Sequence, residues 1–248
     1  MKQSPFLLLL LLVSLAVSAQ PTTIVTSQGT FKLTPPEECI NSTCLNGIIR
    51  IAEMAGPALA ADVAKAKSMT EQGDGEIKQL ASDYAVAKAA YGQAKAPYDA
   101  KMADYMRDWE IHDAAVKVNN ATKPENRSQA EVDRLNRSKA ALDSRKAVLD
   151  GEYSSLLTQW NDLQSKKSDL LYKRNQLSVV TDKLNAALEQ LKKCQEFGER
   201  ALKVSKEKNM GSYKTANDFF GSLKIIPSIE LLNGSLEKMK AWTNKSWD

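Results

Sequence analysis

The chain has 248 residues, 43% of them apolar and 26% charged, with 34 Lys and Arg set against 30 Asp and Glu for a net charge of +4. These values exclude a collagen-like chain, a disulfide-dense miniprotein and a strongly charged disordered chain, and the near balance of charge argues against a nucleic-acid partner. With only 8 Pro, 11 Gly and 1 His, there is room for long helices and little for zinc or histidine chemistry.

Residues 1–19 read as a secretory signal peptide. Lys2 gives the positive start, Phe6 to Val17 is a short apolar run, and Val17-Ser18-Ala19 offers the small residues a signal peptidase needs. The run is too short for a permanent membrane anchor, and no later segment is apolar enough to span a bilayer. The expected location is therefore secreted or extracellular, or periplasmic in a bacterium.

Residues 20–47 are rich in Thr and Pro and predict an extended N-terminal arm, with a weak hairpin about Gln28-Gly29. Residues 48–208 predict an antiparallel helical hairpin with its turn at 119–127. Within it, Gly56-Pro57 interrupts the helical pattern, Gly73-Asp74-Gly75 predicts a break, and Pro97 predicts a kink rather than a break. Ser128-Gln-Ala-Glu131 is a capping box that starts the second arm of the hairpin. From there a helical pattern runs about 80 residues, roughly 120 Å if unbroken. Residues 209–248 predict a C-terminal helical tail, with Ile229, Leu232, Leu236, Met239 and Trp242 on one face of its last segment.

The heptad pattern is the strongest signal. Leu135, Leu142, Leu149, Leu156, Leu163, Leu170, Leu177, Leu184 and Leu191 are each seven residues apart. So are Ile77, Tyr84, Tyr91, Tyr98, Tyr105 and His112. A straight helix would drift off such a row, so the sustained repeat predicts a coiled coil. Pairing residues whose numbers sum to 247 sets Tyr105 on Leu142 and Tyr84 on Leu163, and places the fold point at Lys123 and Pro124, inside the polar loop. The fold class is therefore all-α: a long antiparallel coiled-coil hairpin with a short extended arm and a small helical tail.

In the same register Cys194 stands opposite about Glu53, near Cys39 and Cys44. The expectation is a long-range bridge from Cys194 to Cys44 or Cys39, closing a loop of about 150 residues. A local Cys39–Cys44 loop is the alternative, and the odd cysteine is left to pair two chains. Six sequons mark candidate glycosylation sites: Asn41, Asn120, Asn126, Asn136, Asn233 and Asn244. Three cluster around the polar turn, and the long stems are free of them.

The chain has no His pair at helical spacing, no C-x-x-C, no Gly-rich phosphate loop and no G-x-S-x-G elbow. No catalytic, cofactor-binding or metal-ligating residue is expected, and the protein reads as a non-enzyme. His112 reads as a seam residue near the turn. The tyrosine row reads as a buried seam rather than a stacking platform. Phe219, Phe220, Leu223, Ile225 and Ile226 are expected to fold back near Val63, Leu184 and Leu188. The function expected is that of an exported structural or interaction protein, a spacer or scaffold whose turn, arm or tail meets a protein partner or a second copy. The alternatives are a hairpin chaperone or carrier for apolar clients, and a membrane-active helical protein.

Overall fold

A computed structural model describes residues 21–210, 213–223 and 229–247. The expected signal peptide lies outside the described residues, as do the side chains of Phe220, Leu223, Ile225 and Ile226. In chain order the elements are β1 (Thr22–Thr26), β2 (Gly29–Leu33), a 3-10 turn (Pro36–Glu38), α1 (Ser42–Ala121), a 3-10 turn (Pro124–Asn126), α2 (Gln129–Glu207), α3 (Tyr213–Leu223) and α4 (Ile229–Asn244). The protein is all-α, built on two long helices that pack against each other as a hairpin, with a two-stranded sheet at the N-terminal side.

The arm is more ordered than an extended segment. β1 and β2 pair antiparallel, Ile24 opposite Phe31 and Thr22 opposite Leu33, so alternation turns one face inward. Ile24 and Leu33 are fully buried on that face. Ser27 and Gln28 make the connection, and Gly29 follows at φ 144°, a backbone region that side-chain-bearing residues avoid. Helix α1 begins at Ser42, inside the stretch expected to be arm. Asn41 is its N-cap, its Oδ1 accepting the Cys44 N–H at 2.9 Å.

Gly73-Asp74-Gly75 is no break. Helix α1 runs unbroken through Gly56-Pro57, through this triplet and through Pro97. The triplet is a packing site instead. A Cβ on Gly73 would stand 2.9 Å from Leu177 Cδ2, so glycine lets α2 approach closely. Asp74 is buried and accepts from Trp242 Nε1 at 3.0 Å, with Lys238 Nζ at 3.2 Å. These contacts outweigh the roughly 1 kcal/mol helix penalty of each glycine. Pro97 lies on the exposed side, where water can satisfy the carbonyl it orphans.

Helix α2 starts after Ser128, as the capping box implies, but Glu131 pairs with Arg134 at 2.6 Å. Its C-terminus is a Schellman turn. Asn209 takes φ 49°, the Met210 N–H donates to the Ser205 carbonyl at 2.9 Å, and the Asn209 N–H to the Lys206 carbonyl at 3.2 Å.

The contacts divide the chain into two units. The first takes the described residues up to Asp74 together with Asn175–Ser246. Its core joins Ile24 and Leu33 of the strands, Leu59 and Val63 of α1, Leu184 and Leu188 of α2, Phe219 of α3 and Leu232 of α4. Phe219 thus packs in the cluster expected for it. An ion pair and a hydrogen bond hold the arm to α2 and its end: Arg200 grips Glu37 through Nε at 2.8 Å and Nη2 at 2.6 Å, and Lys208 Nζ donates to the Cys39 carbonyl at 2.6 Å.

The cysteines lie here too, and they correct the long-range expectation. Cys39 is bonded to Cys44, with Cα atoms 5.4 Å apart, and Cys194 is a buried free thiol. Helix α1 begins between the bonded pair, turning the chain back enough for a five-residue loop to close. Cys194 faces the same apolar cluster and is used as a small hydrophobe.

The second unit takes Gly75–Arg174 with the chain end at Trp247. Here a single seam between two helices forms the core.

Candidate interaction surface

All nine heptad leucines are buried, and so are Ile77, Tyr84, Tyr105 and His112 of the facing row. Tyr91 and Tyr98 are half-buried. The register within the second unit differs from the expected one. Tyr91 meets Trp160 with ring centroids 5.3 Å apart, and Tyr98 meets Tyr153 at 6.1 Å, pairs that each sum to 251 rather than 247. The reason lies in how antiparallel coils pack: the heptad position that carries the main row on one helix meets, on the other, the row four residues after the leucines, which holds Tyr153 and Trp160. The tyrosines therefore face Tyr153 and Trp160. The leucines fall to the level of Met102 and Trp109, and Tyr98, Met102, Tyr105, Leu142 and Leu149 form one cluster.

Ion pairs mark one flank of this seam. Lys101 Nζ lies 2.5 Å from Glu152 Oε1, and Arg145 Nη1 lies 2.5 Å from Asp108 Oδ2. The Glu76–Lys173 pair joins the helices near Ile77. By helical spacing, the opposite flank carries Met106 on α1, four residues from Met102, and Leu157 on α2, between Tyr153 and Trp160. Met106, Trp109, Tyr153, Leu157 and Trp160 are each 37% to 54% exposed. The charges beside them are neutralised along their own helices, in the pairs Lys95–Asp99, Lys139–Asp143 and Lys146–Asp150. What remains is a strip of large apolar side chains in which Trp109, Tyr153 and Trp160 edge the seam with part of each ring in solvent and Met106 and Leu157 lie just outside it.

His112 sits in the seam as expected, its ring 6.0 Å from that of Trp109. The turn is held by Arg127, whose Nε donates to the Thr122 carbonyl and Nη2 to the Asn120 carbonyl, both at 3.0 Å, capping the last carbonyls of α1. The six sequon asparagines Asn41, Asn120, Asn126, Asn136, Asn233 and Asn244 are all exposed. Asn120, in the last turn of α1, and Asn126 flank the turn, and Asn136, Asn233 and Asn244 lie on α2 and α4. Among the described residues no group of His, Cys, Asp or Glu is arranged to hold a metal ion, and no helix is long and apolar enough to cross a membrane.

The strip itself was not singled out by sequence reasoning. Its signal was present four residues after successive heptad leucines, where Tyr153 and Trp160 stand between Lys139 and Lys146 on one side and Lys167 and Arg174 on the other, but exposure depends on which side of the seam faces solvent.

The chain matches no known protein-family model, no curated protein and no solved structure. The fold and this surface are therefore the basis for a functional reading.

Proposed function

We propose that the protein is an exported, non-enzymatic coiled-coil scaffold that holds a protein partner along the aromatic strip of its hairpin. The observation that carries the reading is the row of Met106, Trp109, Tyr153, Leu157 and Trp160, large apolar side chains that leave 37% to 54% of their surface in solvent along one edge of the seam. An amphipathic helix is the natural occupant, because its apolar stripe completes a three-helix layer over such a face. Tryptophan and tyrosine supply large contact area at low entropy cost, the usual make-up of an interface centre. The sequon-rich turn and the Cys39–Cys44 bridge support an extracellular setting, with glycans at the turn keeping that end soluble.

Chemical cross-linking in the native source, read by mass spectrometry, tests the proposal. Wild-type protein should give intermolecular cross-links from lysines beside the strip, such as Lys95, Lys139 and Lys146, to one recurrent helical segment of a partner. Leu157→Glu combined with Trp160→Glu should remove those links while the helical circular-dichroism signal persists. Links that survive the double variant, or that join only copies of this chain, would overturn the partner reading.

A further inference from the structure

The first unit contains a groove that the scaffold reading does not use. It lies between β1, α1 and α2 and has a volume of about 320 Å³, at the small end of ligand sites at roughly 300–1,000 Å³. On α1 the lining residues Leu59, Asp62, Ala66 and Met69 recur at helical spacing, and on α2 Lys183, Ala186, Ala187 and Gln190 do the same. Ala66, Ala186 and Ala187 leave the space: where a seam would place leucines, the helices present methyl groups. The β-hairpin closes the third side as a strap. The Val25 N–H donates to Gln190 Oε1 at 2.8 Å, and the Ser27 N–H to Asp62 Oδ2 at 2.8 Å.

The charges at the rim are one-sided. Lys65 and Lys183 come from opposite helices, and among the described residues neither has an ion-pair partner. Asp62, the lining carboxylate, is already engaged by the N–H and hydroxyl of Ser27. A narrow apolar floor under two uncommitted ammonium groups suits an unbranched chain with an anionic head. It is too small for a helix, which is about 10–12 Å across with side chains.

We propose that this groove binds a long-chain carboxylate, the alkyl chain lying over Ala66, Met69 and Ala186 and the carboxylate set between Lys65 and Lys183. The site is independent of the aromatic strip, so the two readings stand or fall separately.

Titration of the full chain with dodecanoate below its micellar concentration, followed by displacement of a fluorescent fatty acid, tests it. Wild-type protein should bind dodecanoate saturably at one site, and dodecanol at least about tenfold more weakly, since one head-group interaction of this kind is worth about a factor of ten. Lys65→Glu with Lys183→Glu should weaken dodecanoate about tenfold or more and leave dodecanol unchanged. Ala186→Phe, at an exposed position that the fold tolerates, should fill the groove and abolish both. Equal affinity for acid and alcohol, no saturable binding, or full binding by the Ala186→Phe variant would overturn the assignment.

Discussion

Two residues show most directly how local chemistry sets behaviour. Burial among apolar neighbours pushes the Cys194 thiol up to about 11, so it is protonated and a poor nucleophile at neutral pH. Peptide mapping without reduction should recover Cys39 joined to Cys44, and iodoacetamide should label Cys194 only after unfolding. Labelling of native protein at Cys194, or a Cys194-containing disulfide, would contradict this environment. At the rim of the same unit, the Arg200 hydrogen bonds hold the Glu37 carboxyl below its ordinary value. A carboxyl depressed in the folded state adds stability above its unfolded value of about 4.5, and that stability is lost as pH falls through the folded value. Both side chains are a third to a half exposed, so the effect is that of a screened pair, about 0.5–1 kcal/mol. Melting curves should therefore show Glu37→Gln less stable than wild type at pH 6 and indistinguishable from it near pH 3.

At the scale of the elements, the leucine row carries the hairpin. Leu156 and Leu163 are buried, whereas Lys166 is partly exposed and pairs with Asp162 of its own helix. Leu156→Lys or Leu163→Lys should cost at least about 2–3 kcal/mol, from lost burial and an ammonium with no partner, while Lys166→Ala should cost under about 0.5 kcal/mol. Equal thermal midpoints for the three variants would remove the leucines from the core. This row was legible in the sequence because nine leucines at one spacing admit one helical reading. The register was not. A period of seven aligns two rows at many offsets, and the choice between them depends on which heptad positions face each other across the seam, here Tyr98 and Tyr153. The Gly73-Asp74-Gly75 triplet was misread for a related reason: propensity is a local quantity, but its glycine serves Leu177 and its aspartate serves Trp242, more than a hundred residues away. The cysteine bridge followed the same pattern, since the distance from Cys39 to Cys44 was set by where α1 begins, at a cap on Asn41 that heptad counting does not reveal.

At the scale of the whole molecule, one pair of helices lives in two environments. In the first unit α1 and α2 are buttressed by the strands, α3 and α4 around a shared core. In the second they have their seam and the ion pairs beside it. Intrahelical hydrogen bonds are alike in both, so any difference in local opening comes from packing. Hydrogen exchange should be slowest at residues 48–66 and 184–204 and measurably faster at 91–109 and 142–160. A uniform rate along both helices would mean that the extra layers contribute nothing to protection. The aromatic strip lies in the region expected to exchange faster.

The cap on α1 also decides how its sequon must be probed. Asn41 Oδ1 is committed to the Cys44 N–H, while a sugar would be carried on the amide nitrogen, so one side chain can start the helix and bear a glycan together. Removing the sequon by Asn41→Ala would delete the cap as well, at about 1 kcal/mol, and would disturb the turn that sets the Cys39–Cys44 loop. Asn41→Asp keeps an oxygen acceptor of equal capping strength and abolishes the acceptor nitrogen; Thr43→Ala abolishes recognition from the other side. A mass shift lost in both variants, with the melting temperature held, would separate the sugar from the helix start it shares an atom group with.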